Sequence, residues 1–349
     1  MNTQELNLQL DPSVAYIEGV ITTTFTAKQS LSSIIFDLAA NMQVNEVTNS
    51  SNQNLSHSRS GDELVINLNT TLAAGQTYTL SVDYEGNPIS SGFGSFEQTT
   101  HNGHEVIWTL SEPYGAKAWW PCKQDLNDKI ESVDIFLTVP RFNSNNEENI
   151  PVANGLEVSN SFIGNSKTVH FSHDYPIPAY LIAVAVTNYA VINNNYSFNG
   201  MNFPLVDYVY PENLASASQD LQETAPILNL FSTLFGNYPY ENEKYGHAQF
   251  GWGGGMEHTT ISFMGNFSRG LIAHEMAHQW FGDKVTCGSW KDIWLNEGFA
   301  TYLSGLVVED FDGASAFNNW KESKVLQITS QPDGAVYLSD NDTLSVGRI

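Results

Sequence analysis

Residues 1–205 carry a strand pattern. Segments 16–25, 63–68, 77–82 and 132–139 are rich in β-branched and aromatic residues, and turn-forming residues separate them at short intervals. Such spacing predicts an all-β domain, built as a sandwich or an open saddle. Segment 180–186, the longest wholly apolar run, has the length of a strand, while 143–148 reads as a polar loop and 193–195 and 199–200 as turns. The period then changes. Ile227, Leu228, Leu230, Phe231, Leu234 and Phe235 recur at helical spacing despite Pro226. Strand-like segments follow around 245–264, then two helices over 271–281 and 294–303, and a further helix over 314–328. The pattern therefore predicts a multidomain α+β chain: an N-terminal all-β domain over 1–205 and a mainly helical domain over 206–349.

A length of 349 residues, with 41% hydrophobic and 12% aromatic residues, supports two sizeable cores. The 38 acidic residues outweigh 14 basic ones, a formal net charge of −24. That balance argues against nucleic acid or an anionic membrane surface as partner, since both call for basic patches. It suits substrates with a positive amino group, although a solvated acidic surface explains it more simply. No run approaches the roughly 20 apolar residues of a membrane span. Two cysteines, Cys122 and Cys287, are too few for a disulfide framework and are expected as free thiols, Cys122 as packing in an aromatic patch.

The chemistry gathers in the two predicted helices around 271–303. His274-Glu275-Met276-Ala277-His278 is an HExxH segment in a stretch without Pro or Gly. Positions i and i+4 share one helix face, so His274 and His278 can aim two imidazoles at one ion. Glu275 sits beside them, close enough to reach a water there but badly placed as a ligand. Catalytic zinc takes three protein ligands and keeps a fourth position open. Glu297, nineteen positions after His278 on the next helix, supplies the third once the turn residues between the helices let them pack side by side. The set reads as a one-zinc hydrolytic site whose attacking group is a metal-activated water, with Glu275 as general base. A structural zinc site fits poorly, because such sites are closed by four ligands and rich in Cys.

Three ordered motifs resemble the aminopeptidase N family of gluzincin metallopeptidases. They are His274-Glu275-Met276-Ala277-His278-Gln279-Trp280-Phe281-Gly282 with Trp290 and Trp294-Leu295-Asn296-Glu297-Gly298-Phe299-Ala300; Gly254-Gly255-Met256-Glu257-His258; and Ala116-Lys117-Ala118-Trp119-Trp120-Pro121-Cys122. The resemblance implies a β saddle followed by the first part of a thermolysin-like catalytic domain, and removal of N-terminal residues from peptides. It implies that Glu257 holds the substrate's free amino group, with Glu112 as a second carboxylate there. Two positions depart from the family: His258 stands where Asn is usual, and Leu110 where many members carry Gln. The family's oxyanion-stabilising Tyr is expected beyond Ile349, as is its C-terminal helical domain, so the chain is expected to be a fragment. The Gly251-Trp252-Gly253-Gly254-Gly255-Met256 run lets another backbone approach closely and could pair with an extended peptide as an edge strand. Gly254, Gly255, Met256 and His258 are accordingly candidates for the substrate subsite beside Glu257.

His57, His101, His104, His170, His173 and His247 lack ligand spacing and are read as surface or packing residues. The start of the chain, 1–5, does not read as a signal peptide, and none is expected there. Its Asn and Ser richness with few Lys nevertheless resembles secreted bacterial members of the family, so a soluble, secreted or periplasmic monomer is expected. The competing readings are a gluzincin endopeptidase, another zinc hydrolase acting on lipids, or a peptide-binding relative with a decayed site. The intact His274, Glu275, His278 and Glu297 argue against the last.

Overall fold

The computed structural model describes residues 1–330. The chain divides into two compact units, Met1–Ala190 and the part from Val191 onward.

The first unit is built from three sheets. The largest has seven strands, running edge to edge Leu156–Ile163, Ser166–His173, Ser132–Pro140, Thr3–Leu10, Ile17–Thr26, Thr77–Gly86 and Gln43–Asn49. Thr3–Leu10 lies parallel to Ser132–Pro140, and the other neighbours are antiparallel. Its inner strands bury alternate residues. Leu6, Leu8 and Leu10 point inward from one strand, and Val133, Ile135, Leu137 and Val139 from its neighbour. This is the period-2 pattern that puts one face of a sheet on the core. The other face carries a ladder of hydroxyl pairs, Thr22 with Ser81 and Thr24 with Thr79 at 2.9 Å each, then Thr26 with Thr77 at 3.0 Å. A four-stranded sheet (Ile150–Ala153, Val184–Thr187, His104–Leu110, Ser95–His101) and a three-stranded one (Leu31–Asp37, Glu63–Leu72, His57–Ser60) complete the unit.

Trp119 and Trp120 are fully buried here. The Tyr84 hydroxyl donates to the Trp119 carbonyl at 2.8 Å, and the Trp119 indole donates to Ser111 Oγ at 3.0 Å. Cys122 is buried and free, bridged backbone to backbone with Asp37, and burial drives its thiol pKa well up. The apolar run at 180–186 is not one strand. Ala179–Leu181 forms a 3-10 turn between Pro178 and the strand Val184–Thr187. The buried Asn154 amide serves the irregular backbone in place of a strand, accepting from Ala183 N–H at 2.8 Å and donating to Leu181 O at 3.0 Å.

The second unit holds a five-stranded sheet, in order Ala190–Phe198, Met201–Val209, Tyr245–Gln249, Ser262–Met264 and Gly255–Met256. The hairpin at 190–209 follows the strand pattern of the preceding residues, yet it pairs with this sheet, Leu205–Tyr208 running parallel to Tyr245–Ala248. The approach is close: a Cβ on Gly246 would stand 1.8 Å from the Val206 carbonyl oxygen, so only glycine fits. His247 pairs with Asp207 at 2.8 Å, and both are buried.

Among the described residues, five α-helices follow or interleave: α1 (Leu214–Asp220), α2 (Thr224–Phe235), α3 (Arg269–His278), α4 (Ile293–Asp312) and α5 (Ala314–Ile328). Pro226 falls in the first turn of α2, where no intrahelical N–H is required of it, so the helix forms as expected. Ile227, Leu228 and Phe231 turn inward. Gly305 on α4 leaves room for the Trp320 ring of α5, 2.7 Å from where a Cβ would sit. Among the described residues, no helix is long and apolar enough to cross a membrane.

Candidate metal centre

Helices α3 and α4 pack against each other and bring three predicted ligands together. Nε2 of His274 and Nε2 of His278 stand 3.1 Å apart. Glu297 lies 3.2 Å from His274 Nε2 through Oε2 and 3.5 Å from His278 Nε2 through Oε1. The rings meet nearly edge to face, at 79°. Ligand atoms about 2.0–2.1 Å from one tetrahedral ion stand about 3.3–3.4 Å from each other, so the three atoms have the spacing of a zinc ligand set.

The surroundings fix that arrangement. Nδ1 of His278 lies 3.2 Å from the Phe281 carbonyl; an N–H on Nδ1 leaves Nε2 free to coordinate. The helix predicted over 271–281 stops at His278, and Gly282 follows at φ +147°, where a Cβ would come within 2.7 Å of the His278 ring. Asn296 is buried at the start of α4 and accepts from the Cys287 N–H at 3.2 Å, which ties the loop before the helix to the turn that carries Glu297. Trp290, itself buried, opens this stretch in a 3-10 turn. Phe299 of α4 stacks on Phe281 at 5.0 Å.

Glu275 and Glu257 converge on the same place. One ligand atom from each of Glu257, Glu275 and His278 lies within 4.8 Å of the others, and all three residues are buried. Burial, together with the carboxylates Glu257 and Glu297, holds Glu275 well above the usual carboxyl range, against the pull of His278. Burial raises Glu257 as well. Burial opposes ionisation of Glu297 too, yet His278 and His274 overcome it and hold that carboxyl far below its ordinary value. His278 is pushed up although burial works the other way, because Glu257, Glu297 and Glu275 surround it. His274 is held down by burial. Three carboxylates with little solvent, and a Glu257 Oε1 without a hydrogen-bond partner, form a concentration of negative charge that a divalent cation neutralises. The donor set and its surroundings therefore fit a metal ion.

The glycine-rich segment lies alongside. Gly255–Met256 is the terminal strand of the five-stranded sheet, antiparallel to Ser262–Met264. Gly255 packs against the Glu275 carboxylate, 2.3 Å from Oε1 to where a Cβ would sit, and Gly254 against the Trp252 ring. Met256 is buried. His258 is wholly buried, edge-on to Phe263 at 4.5 Å, with neither ring nitrogen hydrogen-bonded; burial depresses its pKa to about 3, so the ring is neutral. Glu112 belongs to the first unit, half-buried in the turn between His104–Leu110 and Ala116–Ala118. Gln279, next to His278, lies inside the first motif without a role assigned to it there, and its buried amide bonds both the Glu257 carbonyl and the Thr260 N–H.

Two family models match the chain: the peptidase M1 N-terminal domain over residues 2–181 and the peptidase family M1 domain over residues 263–339. Endoplasmic reticulum aminopeptidase 1 of Mus musculus is 26% identical over 71% of this chain and 29% of its own length. Glutamyl aminopeptidase of Homo sapiens is 29% identical over 66% and 25%, and leukotriene A-4 hydrolase of Xenopus laevis 28% over 76% and 44%. The chain thus spans between a quarter and less than half of these relatives. Among solved structures, an M1 zinc metallopeptidase from Deinococcus radiodurans shares the fold with a TM-score of 0.82, at 24% identity, over 99% of this chain and 78% of that one. A two-domain M1 zinc metallopeptidase bound to L-tryptophan matches at 0.83 and 25% identity, over 99% and 79%. The sheet-rich first domain and partial helical second domain are those of this fold, and the resemblance read from the three motifs is borne out. With more than half its length matched by the N-terminal domain model and its HExxH helix inside the second match, the chain belongs to peptidase family M1.

Proposed function

We propose that the chain carries the catalytic centre of a zinc-dependent aminopeptidase, which removes residues one at a time from the free N-terminus of peptides. The observation that carries the reading is the set of His274, His278 and Glu297, with donor atoms 3.1 to 3.5 Å apart and the buried Glu275 beside them. Zinc held there would lower the pKa of water and polarise the scissile carbonyl. Glu275 is the general base: it takes the proton from the attacking water and hands it to the leaving amine. Glu257 receives the substrate's terminal ammonium, and the unpartnered Oε1 supports this role. For Glu112 the family resemblance implies a carboxylate role in amine binding. The terminal strand Gly255–Met256, preceded by Gly254, offers main-chain groups to an extended peptide. His258 shapes the subsite from behind, as buried packing. Relatives that bear aminopeptidase names and a Deinococcus radiodurans neighbour described as bound to a Tyr-ser-ala substrate support this substrate class. The Asn- and Ser-rich, Lys-poor composition supports a secreted or periplasmic location.

The test uses the protein at its full natural length. Metal analysis should find about one zinc per chain. An aminoacyl anilide with a free amine should be cleaved far faster than its N-acetyl counterpart, and equal rates would replace the reading with an endopeptidase or another hydrolase. Glu275→Gln should keep its zinc and lose turnover by about 10²- to 10⁴-fold. A variant that cleaves at the parental rate would overturn the base assignment.

A further inference from the structure

We infer that Gln279 is a positioning residue that clamps the turn at 257–260 and so sets where the Glu257 carboxylate stands relative to the metal histidines. The inference rests on the reading of Glu257 as the amine-binding group. The turn leaves the terminal strand at Met256, and within it the Ile261 N–H donates to the His258 carbonyl at 3.0 Å. Gln279 holds its two ends. Its Nε2 donates to the Glu257 carbonyl at 3.1 Å, and its Oε1 accepts from the Thr260 N–H at 2.9 Å. The Tyr238 hydroxyl reaches the same Oε1 at 3.4 Å. Gln279 and Thr260 are both fully buried, so water cannot substitute for either bond.

Two further observations point to positioning rather than filling space. Thr260 has φ +68°, a conformation β-branched residues rarely adopt, which persists only where surrounding bonds hold it. Glu257 Oε1 has no hydrogen-bond partner, so the backbone of the turn does much to set the carboxylate's direction. Gln279 directly follows His278 in the chain, and the amide carries the position of α3 across to Glu257. Glutamine meets the geometric need because one planar group offers a donor and an acceptor to residues three apart in the turn. Leucine would supply neither, and glutamate would lose the donor that reaches Glu257.

The experiment measures kcat and KM for a free-amine aminoacyl anilide and its N-acetyl counterpart, with zinc content determined for each preparation, on the full-length protein. The preference of the unaltered enzyme for the free amine tests the functional reading; the change in KM on substitution tests the clamp. Gln279→Leu should bind zinc normally and raise KM for the free-amine substrate on the order of tenfold or more, with kcat within about threefold. Gln279→Glu, which keeps the acceptor for Thr260, should fall between the two and serves where the leucine variant does not fold. Thr260→Gly keeps the N–H and relieves the backbone, and should leave KM within about twofold. Zinc-loaded Gln279 variants with unaltered KM, whatever their melting temperature, would overturn the inference.

Discussion

The seven-stranded sheet of the first unit and the metal centre of the second treat burial in opposite ways. In the sheet, the inward positions of the central strands are leucine, isoleucine and valine, and the hydroxyls pair across strands on the other face. In the centre, two histidines and three carboxylates crowd together, and a carboxylate oxygen and both nitrogens of a neighbouring imidazole go without partners. The first arrangement is what stability alone would select. The second concentrates unfavourable charge, which the proposed cation and substrate amine would offset, so stability and activity should respond to different residues.

Substitutions can test that division. The largest stability effect belongs to the sheet. Leu137→Ala should cost about 2–5 kcal/mol in denaturant unfolding, with zinc content per folded molecule unchanged. A loss of zinc without a loss of stability would contradict the division. Next comes acid sensitivity from His258. Its folded-state pKa of about 3 lies below the unfolded value near 6.5, so the unfolded chain binds the extra proton below that pH. Stability tied to this group is complete above about pH 6.5 and falls by up to about 1.4 kcal/mol per pH unit as pH drops toward 3. His258→Asn should flatten the acid limb by about one proton; an unchanged slope would remove the group from the account. A smaller effect, of opposite sign to that at Leu137, is expected at Glu275. With metal stripped, Glu275→Gln should unfold at higher denaturant, by about 0.5–2 kcal/mol, because it removes a buried acid from a cluster of like groups. Least of all, Thr24→Val should change stability by no more than about 1 kcal/mol, since it breaks one hydroxyl pair on a half-buried face.

What the sequence reveals follows the same boundary. Period-2 patterning made the β domain readable because each strand's burial is a local property. The proposed metal ligands are readable for a similar reason: His274 and His278 are one helical turn apart, and Glu297 follows on the next helix. Segment 180–186 misled, because an apolar run does not distinguish a strand from a tight turn held by a buried amide, and the amide, Asn154, lies far away in the chain. The hairpin at 190–209 reads as a continuation of the β domain, since pairing partners leave no trace in a strand's own pattern. Gln279 lies within a motif, yet its contacts, like those of Asn154, are not written in the local pattern. Its role exists only once residues 257 and 260 are brought beneath it, and no periodicity announces that.

The two cysteines have a practical consequence. Cys122 is buried in the first unit and Cys287 in the second, and neither forms a disulfide. A maleimide or iodoacetamide reagent should leave the native protein unmarked and label each thiol only when its own unit opens. Mass spectrometry of the labelled peptides would then time the opening of the two halves separately, with no engineered probe.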